Sequence, residues 1–130
     1  MGIILSVDDD HIILELLTEL FTKVGLELIT ADNSIDAIEI ANTRNVDVAI
    51  LDISLPHIDG FELQQALRQL DPFTRIIFLS SQMNKKTMYR AMHAGAVDFH
   101  QKPFLHDELV KSVLKHQTQV QNYRKLSKAS

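Results

Sequence analysis

The 130-residue chain contains no cysteine, which excludes a disulfide framework, a zinc finger and a thiol nucleophile together. Proline (3) and glycine (4) are sparse, and no Pro/Gly-rich linker divides the chain. No apolar run exceeds a handful of residues, so no segment reads as a membrane span. Basic residues do not predominate: 13 Lys and Arg stand against 17 Asp and Glu, a formal charge of -4. Direct nucleic-acid binding by the domain as a whole is therefore not expected. No basic stretch precedes the apolar run Ile3 to Val7, as a secretory leader would require, and a cytoplasmic location is expected. Met1-Gly2 with Ser6 also fits a myristoylation pattern, but Ile3 to Val7 reads better as a buried strand.

What is present is the balance of a soluble globular domain, 45% hydrophobic and 23% charged. One domain is expected at this length, burying about two-thirds of its unfolded surface. Short apolar runs alternate with helical periods. Ile3–Val7, Leu26–Thr30, Asp47–Leu51, Arg75–Leu79 and Val97–Gln101 read as strands buried on both faces. Between them lie helices at His11–Val24, from Asn33 or Ser34 to Asn42, Gly60–Leu70 and Asn84–Ala94. A last helix runs from about Leu105 into the low 120s, with a frayed tail from Leu126 to Ser130. Asp10 reads as an N-cap, and Gly25 and Gly95 as helix stops. Regular strand–helix alternation implies a parallel sheet with right-handed crossovers and helices on both faces, a doubly wound α/β fold.

In such a sheet the functional crevice lies at the carboxyl ends of the strands. Strand one ends on Asp8 and Asp9, strand three on Asp52, strand four on Ser80 and Ser81, and strand five on Lys102. Each residue alone is commonly structural, an Asp as a helix cap or a Lys-Pro as a strand stop. Their joint placement is not reached by capping. Crowded carboxylates repel one another, and a hard divalent cation such as Mg2+ relieves them. Lys102 adds a positive charge, Ser80 a hydroxyl donor, and Asp52 a carboxylate able to accept a phosphoryl group covalently.

The segments Val7-Asp8-Asp9-Asp10, Leu51-Asp52 through Asp59-Gly60, Leu79-Ser80-Ser81 and Gly95 through Lys102-Pro103-Phe104 stand in a family's order and spacing. From Gly2 to about Gln117 the chain resembles the receiver domain of bacterial two-component response regulators. The resemblance implies a five-stranded, flavodoxin-like sheet of order 2-1-3-4-5. It implies a receiver at 1–117, followed by an extension of the last helix at 118–130 as a linker toward an output domain. It implies that Asp52 is the phosphoacceptor, fed by a sensor histidine kinase, a phosphotransfer protein or a small phosphodonor. Asp8, Asp9, Asp52 and the backbone carbonyl of Ser54 would hold Mg2+, Lys102 would pair with Asp52, and Ser80 with Phe99 would form a coupled switch. The chain would not be an enzyme in the ordinary sense, although it would assist its own phosphorylation and dephosphorylation. Its partners would be the kinase and an output domain or downstream protein.

Some positions depart from the family pattern. His57 stands where Gly is common, His100 and Gln101 are polar on strand five, and Val97 gives no support to dimerisation through a charged face. Ser54 and Gln82 occupy positions through which the family tunes phosphoryl lifetime. The remaining histidines, at 11, 93, 106 and 116, show no metal-ligand spacing and read as surface or helix-face residues. Leu109, Val113, His116, Val120 and Tyr123 step like a short heptad seam, so the last helix reads either as a frayed amphipathic end or as a signalling helix that pairs in a homodimer.

Three other functions fit the sequence less well. An aspartyl phosphatase wants a carboxylate two residues after its nucleophile, where this chain has Ser54. A flavin module needs a hydroxyl- and glycine-rich phosphate loop after strand one, where Asp8-Asp9-Asp10 would repel phosphate. A degenerate receiver acting only as a partner-binding module would not need the complete set of acids, hydroxyl and lysine.

Overall fold

The computed structural model describes residues 2–82 and 84–129, the side chain of Ala129 excepted. Its elements are β1 (Ile3–Val7), α1 (His11–Lys23), β2 (Leu28–Ala31), α2 (Ser34–Thr43), β3 (Val46–Leu51), α3 (Gly60–Leu70), β4 (Arg75–Ser80), α4 (Lys85–His93), β5 (Asp98–Gln101) and α5 (His106–Ala129). All strand pairs are parallel, and the sheet order is β2-β1-β3-β4-β5. The expected doubly wound fold is the one observed.

The apolar strands are explained by their two covered faces. Leu5, Val7, Leu51, Ile76 and Phe78 pack with Ala37 of α2, Leu63 and Leu67 of α3, and Ala91 of α4. The alternate residues Ile4, Val48, Ile50, Ile77 and Leu79 pack with Leu17 and Phe21 of α1 and Leu109 and Val113 of α5. Side chains of successive strand residues point to opposite faces, so each strand feeds both layers. Each fully buried Leu, Ile or Val contributes roughly 1.5–3 kcal/mol.

Helix boundaries follow their caps. The Asp10 carboxylate accepts from Ile12 N (3.0 Å), Asn33 from Asp36 N, Asp59 from Glu62 N and Asn84 from Thr87 N. At the end of α1, Gly25 sits at φ 77 and its N–H donates to Thr22 O (3.0 Å), while Leu26 N donates to Phe21 O (3.0 Å). This double closure consumes Leu26 as part of the helix stop, so β2 starts at Leu28 rather than at the expected Leu26. The other strand ends match expectation or differ from it by a single residue.

The last helix departs most from the sequence reading. It continues to Ala129 without the expected fraying at Leu126, and Ser130 lies outside the described residues. The heptad-like residues Leu109, Val113, His116 and Val120 are buried against this domain's own sheet, and Tyr123 is half exposed beneath the Arg75 guanidinium. That stripe is spent within the chain and is not free for a homodimer seam. His116, read from the sequence as a surface or helix-face residue, is buried.

Asp47, fully buried on β3, anchors the distal part of α5. Arg124 Nε donates to Asp47 Oδ1 (2.9 Å), its Nη2 to Asp71 Oδ2 (2.7 Å) and to Val46 O (3.1 Å). Burial works against the Arg124 charge, but Asp71 and Asp47 outweigh it and hold the guanidinium firmly protonated. A buried carboxylate stripped of its cation is costly. Arg124→Met should therefore lower stability by about 3 kcal/mol in denaturant melts, with part of the loss recovered in Asp47→Asn/Arg124→Met. A chain ending at residue 117 should be destabilised at least as much.

His116 generates a second prediction. Its Nδ1 accepts from Arg75 Nη1 (3.0 Å), which fixes the neutral ring. Burial, followed by the Arg75 and Lys115 charges, holds its pKa below 6.5, against a smaller opposing pull from Asp98. The unfolded chain takes up this proton before the folded one does, so stability should fall as the pH drops below 6.5. In His116→Gln, urea melts across that range should show a flatter dependence by up to one proton.

Candidate functional site

Three strand ends and one loop bring the acidic cluster together. Beyond each strand the parallel ladder continues for one more hydrogen bond: Asp8 N to Ala31 O (3.1 Å), Asp52 N to Val7 O (3.0 Å) and Lys102 N to Ser80 O (3.0 Å). These bonds fix the backbones of the three charged residues before their side chains are considered. Gly60 completes the frame. Its N–H donates to Ile53 O (2.8 Å), and a Cβ there would lie 2.2 Å from the Asp52 carbonyl oxygen, so no larger residue lets α3 start so close. Ser34 Oγ donates to Ile58 O (2.8 Å), tying the loop after Asp52 to the start of α2.

Carboxylate oxygens of Asp8, Asp9 and Asp52 lie within 4.8 Å of one another. Asp8 and Asp52 are buried and Asp9 is exposed. Lys102 Nζ donates to Asp8 Oδ2 (2.6 Å) and to Asp52 Oδ2 (3.2 Å). The sequence reading pairs Lys102 with Asp52, whereas the shorter contact here is to Asp8. Burial raises the Asp8 pKa above 3.8, reinforced by the Asp52 charge and opposed by Lys102 and the Asp10 N–H. Burial tends to lower the Lys102 pKa, but its two carboxylates more than reverse this and raise it.

Three carboxylates against one ammonium leave a net negative charge in a partly dry setting. An all-oxygen donor set with one exposed member suits a hard divalent cation that keeps several waters. Asp8, Asp9 and Asp52 fit such an ion.

The other sequence-predicted residues flank this cluster. Ser80 is fully buried and its Oγ accepts from Gln82 N (3.1 Å). Ser54 follows Asp52 at the surface, its N–H 3.4 Å from Asp52 Oδ1. Phe99 is half-buried, with its ring 6.2 Å from that of Phe78. His57 is exposed at φ 76, the left-handed region that favours the glycine common at this position.

Two features went unread in the sequence. Gln82 Nε2 donates to Ser54 Oγ (2.5 Å), joining the β4–α4 and β3–α3 loops beside a 530 Å3 cleft bordered by Asp9, Pro56 and Asp59. The sequence singles out the positions of Ser54 and Gln82, but nothing in one dimension shows that they touch. The second is a knot on β5: Asp98 accepts from Phe99 N (2.8 Å), His100 Nε2 (2.9 Å) and Ser112 Oγ. Burial acts to raise the Asp98 pKa, and these hydrogen bonds outweigh it and lower it. His100 is thereby accounted for by the Asp98 carboxylate, while Gln101 is exposed.

Comparison with known proteins agrees on the fold and shows the family. The response regulator receiver domain family matches residues 4–114. The chain is 31% identical over 113 residues to sporulation initiation phosphotransferase F of Bacillus subtilis, covering 87% of this chain and 91% of the relative. It is likewise 31% identical to chemotaxis protein CheY of Bacillus subtilis, covering 86% and 94%. It spans about half (49%) of the response regulator protein TodT of Pseudomonas putida, at 31% identity and with 86% of this chain covered. Among solved structures, Vibrio cholerae chemotaxis protein CheY4 superposes with TM-score 0.81 at 28% identity, covering 88% of this chain and 98% of that one.

The charge balance gives a test. Asp52→Asn removes one of the repelling carboxylates while Lys102 keeps its closer partner, Asp8. In metal-free buffer this variant should melt a few degrees higher than the parent. The gain should shrink when Mg2+ is added, because the parent then gains more from the ion. A clearly lower melting temperature without metal would count against the repulsion described here.

Proposed function

The chain belongs to the response regulator receiver domain family, the phosphoacceptors of two-component signalling, and we propose that Asp52 is its phosphorylated residue. The observation that carries this is the placement of Asp52 within reach of both Asp8 and Asp9 and of the Lys102 ammonium (3.2 Å). An Asp52 carboxylate oxygen forms a bond to phosphorus as the donor's P–N or P–O bond breaks, and the donor leaves with the electron pair. Lys102 then moves its hydrogen bond from the carboxylate to a phosphoryl oxygen, where the negative charge now sits. The Ser80 hydroxyl, exchanging its contact with Gln82 N for one with the phosphoryl group, supplies a second donor.

Asp8, Asp9 and Asp52, with the Ser54 carbonyl, would hold Mg2+. When bound, the ion supplies charge neutralisation at the transferring oxygens. Phe99 and Ser80 form the switch of this reading: inward movement of Ser80 frees space beside β4, and the half-buried ring moves toward it. A shift of a few kcal/mol is enough to change which state predominates. The Gln82–Ser54 contact stands beside the mouth of the site, so access of water to the acyl phosphate depends on it.

The donor on this reading is a phosphohistidine of a sensor kinase or phosphotransfer protein. The receiver proper is assigned to 1–117, with 118–130 as a docked continuation of α5. The output is a further domain or a downstream protein. Among the described residues no helix is long and apolar enough to cross a membrane.

The deciding experiment is intact mass after incubation with acetyl phosphate, with and without Mg2+, on the parent chain and on Asp52→Asn. A single phosphoryl adduct that requires Mg2+ and disappears in the variant is expected. An adduct that persists in Asp52→Asn would move the acceptor elsewhere. Absence of any adduct on the parent, even with a phosphorylated kinase domain, would favour a partner-binding module that keeps the residues without the chemistry.

A further inference from the structure

At the opposite end of the sheet from Asp52, an open cleft of 420 Å3 is lined by Arg68, Phe73, Arg75, Val97 and Tyr123. Arg68 stands in the last turn of α3, Arg75 opens β4, and Tyr123 projects from α5. Each arginine is held in place by neutral groups. Arg68 donates to Gly95 O (3.3 Å) and Pro72 O (3.4 Å). Arg75 Nη1 donates to Gln119 Oε1 (2.6 Å) and to His116 Nδ1 (3.0 Å), and its guanidinium lies 5.7 Å from the centre of the Tyr123 ring.

Neither guanidinium forms a salt bridge among the described residues. The nearby acid in sequence, Asp71, is already occupied by Arg124. Arg75 Nε and Nη2 and Arg68 Nε have no acceptor among the described residues. Two fixed positive charges therefore line one cleft with no carboxylate bonded to either among the described residues, each with unspent N–H donors; Asp98, close enough to act on His116, is held by His100 and Ser112. His116 beside Arg75 is neutral and adds no compensation.

A guanidinium presents its donors in a planar fork that matches a pair of carboxylate or phosphate oxygens. The cleft volume is within the usual range for small-molecule sites. We propose that this cleft binds a small multivalent anion through Arg68 and Arg75, its carboxylate or phosphate oxygens supplying the missing counter-charge. The site is separate from the acidic cluster. Arg75 is the first residue of β4 and Ser80 the last, which sets the two ends about 17 Å apart. The proposal does not depend on which residue is phosphorylated.

The test uses the metal-free full chain at constant ionic strength, titrated separately with citrate and with pyrophosphate, against a sodium chloride control. Backbone amide shifts of Thr74, Arg75, Val97 and Tyr123 should move saturably, with a dissociation constant of about 1 mM or tighter for at least one probe. The better of the two arms tells carboxylate from phosphate chemistry. Arg75→Gln and Arg68→Gln should each weaken binding about tenfold. Arg75→Lys, which keeps the charge and loses the fork, should fall between parent and Arg75→Gln.

Three results would overturn the proposal. These are no saturable movement beyond the chloride control, movement centred on Lys125 and Lys128 instead of the cleft, or unchanged affinity in both glutamine variants. Should a variant fail to fold by circular dichroism, the map on the parent chain still decides.

Discussion

One ammonium set against three carboxylates is the constraint on which the rest of this structure depends. Lys102 reaches Asp8 at 2.6 Å and Asp52 at 3.2 Å, while Asp9 stays at the solvent. In water such a cluster would be a minor matter. Here Asp8 and Asp52 are buried, desolvation already works against the Asp8 charge, and the Asp52 carboxylate makes it worse. The cluster is therefore poised: it gains from any cation that enters and from any reaction that redistributes its negative charge over more oxygens. A fold that held the same residues a few Å farther apart would lose both properties.

Holding them there is the task of backbone groups rather than side-chain packing. The ladder bonds that run one residue past β1, β3 and β5 set the three charged backbones, and Gly60 lets α3 begin against the Asp52 carbonyl. The loop between them bends through His57 at positive φ and is tied to α2 by Ser34. Phe99 sits at the border of this frame, half-buried beside Phe78, which itself packs on Phe61 at 5.2 Å. A ring in that position has one packed side and one side at solvent, which a fully buried aromatic lacks.

The strand–helix alternation, most strand ends and the acids, hydroxyl and lysine that follow the strands were legible in the sequence because each rests on a local signal, whereas the sheet order came with the family resemblance. Apolar runs mark strands, caps mark helix starts, and the carboxyl ends of strands 1, 3, 4 and 5 carry Asp8, Asp9, Asp52, Ser80 and Lys102. What was not legible depends on contacts distant along the chain. The stripe Leu109, Val113, His116, Val120 looks the same whether it meets another helix or its own sheet, and the partner lies in β3 and β4. Leu26 reads as strand by its apolar character, but its N–H is taken by Phe21. Lys102 could be assigned to a carboxylate but not to Asp8 over Asp52, since that preference is set by side-chain reach across the sheet.

The same blindness hid the polarity of the molecule. All 17 acidic residues lie before residue 109, whereas Lys111, Lys115, Arg124, Lys125 and Lys128 follow it. Folding does not mix the two populations evenly. Acids gather at the carboxyl ends of the strands, while Arg68, Arg75 and Arg124 gather where β3 and β4 begin. At that second end, of these three arginines, Arg124 alone forms an ion pair among the described residues, with Asp47 and Asp71, and this match holds α5 to the sheet. Arg68 and Arg75 use part of their donors to fasten the α4–β5 loop and α5, and keep the rest. Fastening alone would be served by neutral donors such as Gln. Two charges retained there, with Asp71 taken by Arg124, give the start of β4 an electrostatic character opposite to its end, along a strand of six residues.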